Sequence, residues 1–413
     1  MTTSPDELVA GLAERAAAAA ETLAEASDQQ VSAALAAMAR RLADAKDELA
    51  AANEQDVATA ESGGMSAALL DRLRLGPQRL DDLAANLRLL AETAPMVREV
   101  PVRELDGGLV LIERRRPVGV IGVNYEARPN VTIDVASQLL KSRNAGVLRT
   151  GSAAIGSARA LHQHVIAPAL EEAGIDPEAI QIVGEPGHEY AFALVRQPGL
   201  IRLAILRGSG ETTAALGAEA ARHGVRTLAH AEGGGVLFVD AAADPNTLRR
   251  LLAEGTDRLG VCNRVNLVLL HGKVAEEYEP VIRDVLGAAG IAIDAAPFDH
   301  PIGHEWALDD GHEATVSLLR VPDELAAARV ANTETSGLAA TIVTEDADTA
   351  RRFLDRYVGT GAFWNATTRL LDGFKLLAVP ETGINVDHMP RPRGPVTFAD
   401  LYLRQYLVRP GDR

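Results

Sequence analysis

Apolar positions recur at helical spacing over residues 5 to about 60, in an alanine-rich background. Ser4-Pro5-Asp6-Glu7 reads as an N-cap, a proline at the first helical position and acids in the first turn. A second helix follows Ser27-Asp28. Gly63-Gly64 interrupts the pattern, and Ser66 to Leu90 resumes it around Gly76-Pro77. This block reads as packed surface helices without chemistry.

Near Pro101 the pattern changes. Leu109 to Arg116 predicts a strand ending in a basic run, and Val118 to Val123 a strand apolar throughout, hence buried on both faces. Strands and helices then alternate. A helix is predicted over Val131–Lys141, a strand over Ala145–Leu148, a helix over Ser152–Ala173, strands over Ile180–Val183 and Leu200–Leu206, and a helix over Glu211–His223. A second run of the same kind starts at Val236–Asp240. It continues through Val265–Leu270, Ile291–Ile293, Thr315–Val321, Ala340–Val343 and Ala362–Trp364. Such alternation with short glycine loops predicts an α/β fold with parallel sheets in two domains. Pro390 to Pro395 reads as a rigid loop, and Leu401–Val408 as an amphipathic terminal strand or short helix.

Composition narrows this picture. A formal charge of −16 over 413 residues disfavours nucleic acid or an anionic membrane as partner, so an anionic ligand must find local positive charge. No apolar run approaches the roughly 20 residues that span a bilayer. The acidic start is unlike a signal peptide, and one cysteine cannot form an internal disulfide; both point to the cytoplasm. The ten histidines are scattered, and no metal cluster is expected.

The candidate chemistry lies at junctions. Cys262, the single cysteine, stands between a helical pattern and the Val265 strand, either as an inert core residue or as a nucleophile at the mouth of a cleft. Arg207-Gly208-Ser209-Gly210 follows a strand and opens a helix, as a phosphate cradle or a ligand-free turn. Arg149-Thr150-Gly151-Ser152 has the same shape. Its arginine suits a ribose 2′-phosphate or pyrophosphate, or a surface ion pair. Asn130, beyond a buried strand, either caps the next helix or points its amide at a developing oxyanion. Glu232-Gly233-Gly234-Gly235 is an acidic turn, either a linker or the place for a general base.

The stretch Pro117 to Thr132, with Glu126-Ala127-Arg128-Pro129-Asn130-Val131-Thr132 at its end, resembles the signature of the gamma-glutamyl phosphate reductase (glutamate-5-semialdehyde dehydrogenase) branch of the aldehyde dehydrogenase superfamily. The resemblance continues at Asn53, Asp56, Leu70-Asp71-Arg72-Leu73, Leu140-Lys141-Ser142, Leu148-Arg149, Gly260-Val261-Cys262-Asn263, Asn365 to Arg369 and Arg393-Gly394-Pro395, and spans essentially the whole chain. It implies an aldehyde dehydrogenase-like fold: an NADP-binding Rossmann-like domain (residues 1–100 and 117–235), a catalytic α/β domain (236–395) and an oligomerising β-hairpin element (101–116 and 396–413).

The implied reaction is NADPH-dependent reduction of an acyl phosphate, by default L-glutamyl 5-phosphate, to the aldehyde and phosphate through a Cys262 thioester. Asn130 would stabilise the oxyanion. Arg149 to Ser152 and Arg207 to Gly210 would hold the cofactor, and Arg128, Asn263, Asn266 and Arg393 the substrate. A homodimer or homotetramer is expected. No water attack is needed, so Glu232 is a weak candidate for a base.

Several positions depart from the family pattern. Arg143 stands where the family carries glycine, Thr150 is bulkier, Ala153 lacks an acid and Asn266 replaces a carboxylate. The segments Thr335–Ala339 and Leu377–Asn385 are altered as well. The departures point to a paralogue acting on a related acyl phosphate. Two other readings are an aldehyde dehydrogenase that oxidises to acid or acyl-CoA, and a non-catalytic binding member of the fold.

Overall fold

The computed structural model describes residues 3–230, 233–306, 309, 311–387 and 392–411. The turn residue Glu232 and the start of the Pro390–Pro395 loop therefore lie outside the described residues. Strands are numbered in chain order: β1 (Glu99–Leu105), β2 (Leu109–Pro117), β3 (Val120–Asn124), β4 (Ala145–Arg149), β5 (Ile180–Ile182), β6 (Ile201–Arg207), β7 (Arg226–His230), β8 (Gly235–Val239), β9 (Val265–His271), β10 (Ala292–Ala295), β11 (Thr315–Val321), β12 (Ala339–Val343), β13 (Gly361–Trp364), β14 (Gly383–Asn385), β15 (Gly394–Val396) and β16 (Tyr402–Pro410).

One parallel sheet has the order β5-β4-β3-β6-β7, and a second the order β10-β11-β9-β8-β12-β13. β3, β4, β8 and β9 are buried along their whole length, as their unbroken apolar runs require. In the first sheet the chain runs outward from β3 to β5, then returns to β6 on the other side of β3. The carboxyl ends of β3 and β6 thus flank a topological switch point, where open α/β sheets bind ligands.

The N-terminal helices α1 (Pro5–Glu25), α2 (Asp28–Asp44), α3 (Lys46–Ser62), α4 (Ala67–Leu73) and α5 (Pro77–Glu92) precede the sheets. Leu35, Met38, Leu42, Leu83 and Leu87 pack into one core with Ile121, Leu139 and Leu148 of the first sheet and its helix α6 (Pro129–Lys141). Ser4 and Ser27 form capping boxes with Glu7 and Gln30. The expected helix from Ser27 is two helices, with Ala45 leaving helical geometry between them. The expected helix over Ser152–Ala173 contains a π-turn at His162–Ile166, just ahead of Pro168, whose missing N–H the altered turn accommodates.

Several short elements went unread, β7 and the helix Glu189–Val195 among them. β7 offers only a short apolar stretch between polar ends, and the helix Glu189–Val195 is two turns long. Arg143, at φ 59° beyond the end of α6, adopts the left-handed conformation that favours glycine. Its guanidinium donates to Ala26 O and to Asp28, which holds the strained residue in place.

The tail is a strand: β16 pairs antiparallel with β2, and β1 completes a three-stranded sheet. β14 and β15 form a small hairpin. Although assigned from sequence to the catalytic domain, β14 packs on the ends of β6 and β7 in the first sheet. Among the described residues no helix is long and apolar enough to cross a membrane.

Candidate active site

Cys262 lies in the turn between the helix Pro245–Thr256 and β9, half-buried beside Leu371 and Leu338. It opens on a cavity of about 60 Å³ walled by Arg72, Glu126, Arg128, Arg207, His230 and Glu305, with Gly208, Gly233, Gly260 and Val261 as backbone. The first-sheet members come from the carboxyl ends of β3, β6 and β7, which is why one short loop from the second sheet can meet them. Arg72, Arg128, Arg207, Gly260 and Val261 also line a cleft of about 690 Å³, where Asn130, Asp134, Asp372 and Glu381 stand. The thiol cavity therefore adjoins a larger charged cleft.

Each wall residue is held by its own element. Arg128 is the N-cap residue of α6, with Pro129 at the first helical position and Nε 3.0 Å from Glu126 Oε2. Arg207 ends β6 and donates from Nη1 to Thr382 O at 3.1 Å. His230 ends β7, and its Nδ1 accepts from Ile384 N–H at 3.2 Å, so the proton of the neutral ring is on Nε2. Glu305 Oε2 accepts from Gly233 N–H at 2.8 Å. Gly233 must be glycine, since a Cβ there would stand 2.6 Å from Cys262 O. Asn266 holds the backbone on both sides of Glu305: its Nδ2 donates to His304 O, and its Oδ1 accepts from Trp306 N–H at 3.1 Å.

Burial pushes the Cys262 thiol up to about 11; Arg128 and Arg207 pull it down, and Glu381 and Glu305 add to the rise. Burial, then Arg207 and Arg128, push His230 down to about 3, so it stays neutral at working pH and cannot serve as a strong base. Burial, then Glu381, push Asp134 up to about 7. Glu381 is itself raised by burial and then by Asp372.

Asp134 makes stability depend on pH. A carboxyl raised from 3.8 to about 7 binds more protons folded than unfolded across that window, so it costs stability as pH rises through it. Asp134→Asn keeps an acceptor for Asn130 without the charge. Thermal unfolding should show a higher Tm than wild type at pH 8, with the difference gone near pH 4.

The structure brings Cys262, Arg128, Arg207 and Gly208 to one cavity and Asn130 to the adjoining cleft. Asn130 does not cap α6: Arg128 holds the N-cap position, without a side-chain cap bond, and Asn130 Nδ2 donates to Asp134 Oδ2 at 3.2 Å. Four of the expected ligand residues have polar groups engaged in the fold. Arg149 is buried and donates to Asn124 Oδ1 and Gly187 O, at 3.1 and 2.9 Å. Asn263 donates to Leu371 O at 3.0 Å and accepts from Arg369. Asn266 supports the Glu305 loop, and Arg393 donates to Val386 O and Val358 O. Thr150 Oγ1 donates to Glu126 O at 3.2 Å, Gly151 lies against Ala127, and Ser152 opens a 3-10 turn. Ser209 caps the helix Gly210–His223.

Sequence reasoning missed Arg72, His230, Glu305, Asp134 and Glu381 as site residues. Arg72 comes from the N-terminal block that reads as packed helices without chemistry, yet it lines the thiol cavity; its signal lay in Leu70-Asp71-Arg72-Leu73. Among the described residues no group of three or more His, Cys, Asp or Glu could hold a metal ion.

The aldehyde dehydrogenase family model matches residues 2–288. Gamma-glutamyl phosphate reductase of Zymomonas mobilis is 34% identical over 415 residues, covering 98% of this chain and 96% of that protein. The protein of the same name from Anaeromyxobacter dehalogenans is 34% identical, covering 96% of this chain and 95% of its own. The crystal structure of gamma-glutamyl phosphate reductase from Thermotoga maritima superposes with a TM-score of 0.88 at 26% identity, over 97% of this chain and 98% of that one. A propionaldehyde dehydrogenase from Clostridium phytofermentans shares the fold, with a TM-score of 0.72 at 16% identity over 97% of this chain and 96% of that one.

Proposed function

This chain belongs to the aldehyde dehydrogenase family and, within it, to the gamma-glutamyl phosphate reductases, and from that premise we propose that it reduces L-glutamyl 5-phosphate to L-glutamate 5-semialdehyde and phosphate, with NADPH as reductant. The observation that carries this reading is the pair of arginines, Arg128 from the β3–α6 turn and Arg207 from the end of β6, in the cavity of the single thiol. Oxidation to an acid needs an activated water and no anion site. An acyl phosphate needs cations beside the nucleophile, for the phosphate it brings and releases.

The thiol proton passes to Glu305, one of the two carboxylates in the cavity, the other being Glu126, which is paired with Arg128; His230 is too weak a base to take it. The Cys262 sulfur attacks the acyl carbon, the carbon–oxygen bond to phosphate breaks, and phosphate leaves against Arg128 and Arg207 as the thioester forms. Asn130 and the Cys262 backbone N–H steady the oxyanion. NADPH, when bound, supplies the hydride that reduces the acyl group to the aldehyde. Release of the aldehyde restores the thiolate.

The crevice between β3 and β6 suits a dinucleotide: it lies at the switch point, and the helix Gly210–His223 turns its N-terminus toward that edge. The turn Thr150 to Ala154 carries no carboxylate to bond a ribose hydroxyl or repel a 2′-phosphate, which supports NADPH over NADH. The β1-β2-β16 sheet exposes Val102, Leu403, Tyr406 and Val408. A second copy of the chain would cover them, which supports a homo-oligomer.

The reading is tested by NADPH oxidation with L-glutamyl 5-phosphate, and by the reverse reaction with aldehyde, NADP and phosphate. Arg207→Ala separates phosphate from cofactor binding. Loss of one charged partner should raise the KM for phosphate in the reverse reaction by about 10–10²-fold, with NADP affinity unchanged. A fall in NADP affinity instead would return Arg207 to the cofactor.

A further inference from the structure

We propose that Arg72 is a positioning residue for the nucleophile: with Asp71 it clasps the Cys262 loop from the N-terminal helices and sets the backbone that presents the thiol. The proposal rests on the acyl phosphate reading but concerns a residue to which that reading gives no task.

The clasp has two points. Arg72 Nη2 donates to Gly260 O, two residues before Cys262. Asp71 Oδ2 lies 3.6 Å from Arg258 Nη2, at the start of the same loop. The other end of the Arg72 fork reaches the turn after β3, with Nη1 4.0 Å from Glu126 Oε2. One guanidinium thus ties three segments that are distant in sequence. Only 14% of its side chain is exposed, and it lines both the thiol cavity and the larger cleft.

Gly260 fits this arrangement and little else. Its φ is +70°, and a Cβ would stand 2.7 Å from Arg72 Nη2. The loop is therefore built to take the guanidinium against its backbone. Fixing the Gly260 carbonyl fixes the peptide that leads into Val261 and Cys262, and hence the direction of the Cys262 N–H and side chain.

Arg72 is itself held from behind. Asn53 of α3 is buried; its Nδ2 donates to Leu73 O at 2.9 Å and to Ser157 Oγ at 3.0 Å, and its Oδ1 accepts from Leu75 N–H at 2.7 Å. These bonds lock the end of α4 onto α3 and onto the helix that contains Ser157. Arg72 therefore has a fixed origin as well as a fixed target. Its donors face Gly260 and Glu126, whereas Arg128 pairs only with Glu126 and Arg207 bonds only Thr382 O among the described residues. That difference separates a positioning role from phosphate binding.

The test uses full-length Arg72→Ala and Arg72→Lys with three readouts: kcat and KM for L-glutamyl 5-phosphate, alkylation of Cys262 by iodoacetamide against pH, and thermal unfolding. The single cysteine makes the alkylation unambiguous. Arg72→Ala should lower kcat by about 10²-fold, as for a reacting group displaced by roughly 1 Å, with KM changed less than about threefold. Its alkylation midpoint should move to higher pH, because a cation beside the thiol is gone. Arg72→Lys should restore the midpoint and only part of kcat, since an ammonium lacks the fork that spans Gly260 and Glu126. An unchanged kcat with a lower Tm, or a raised KM with unchanged kcat, overturns the proposal. If the wild type did not reduce the acyl phosphate, the proposed function would fail by itself. The alkylation profiles would still decide the clasp, and identical profiles in wild type and Arg72→Ala overturn it.

Discussion

Cys262→Ala is expected to lower turnover by at least about 10⁴-fold while leaving NADPH affinity and Tm close to those of the wild type. No other residue of the chain has a thiol, and the cavity is organised around this one, so nothing can replace it. The small cost in stability follows from its half-buried place at the edge of the cluster of Leu338, Leu371 and Ile384. A thiol pushed up to about 11 is mostly protonated at neutral pH, so alkylation of the free enzyme should accelerate steadily from pH 7 towards 11. A large loss of stability with activity retained would instead make Cys262 a core residue.

The second large effect is expected at Asn130. Asn130→Ala should lower kcat by roughly 10²–10³-fold with little change in KM, because an oxyanion donor acts only in the transition state. Its amide carries two hydrogens. One goes to Asp134, whose carboxyl is raised to about 7 by burial and then by Glu381, and the other is left for the cleft shared with Gly260 and Val261. Steady-state kinetics of this variant decide the role; an unchanged kcat would reduce Asn130 to a partner of Asp134.

The fold was legible wherever burial is two-sided. β3, β4, β8 and β9 are continuous apolar runs and sit where their pattern puts them. β7 was invisible because its apolar centre is too short, and with it His230 was lost from view. Cys262 stood out by its rarity and its place between a helix and a buried strand, which left a core residue and a nucleophile both open; the family resemblance favoured the nucleophile. The residues around it were less so. A sequence shows that an arginine or asparagine ends a strand, but not whether its donors are spent. Arg149, Asn263 and Asn266 were assigned to ligands, yet Asn124, Gly187, Leu371, His304 and Trp306 take their hydrogen bonds. The opposite case is Arg72 and Glu305: Glu305 comes from a segment with no local sign of chemistry, Arg72 from a helix whose one sign was the Leu70–Leu73 resemblance, and the tertiary fold brings both to the thiol cavity.

The departures from the family pattern can be placed by the same logic. Asn266 and the stretch Thr382–Asn385 do not line the thiol cavity; they hold the residues that do, Glu305 in one case and Arg207 and His230 in the other. Changes there adjust the cavity from behind and leave its charged groups in place.

The central claim is that Cys262 exchanges its acyl group with phosphate and not with water. The direct measurement is a rapid-mixing experiment with L-glutamate 5-semialdehyde and NADP, without phosphate, followed at the absorbance of NADPH. A burst of one NADPH per Cys262, no steady turnover, and turnover that starts on adding phosphate are the expected result. Steady turnover in the absence of phosphate would contradict it.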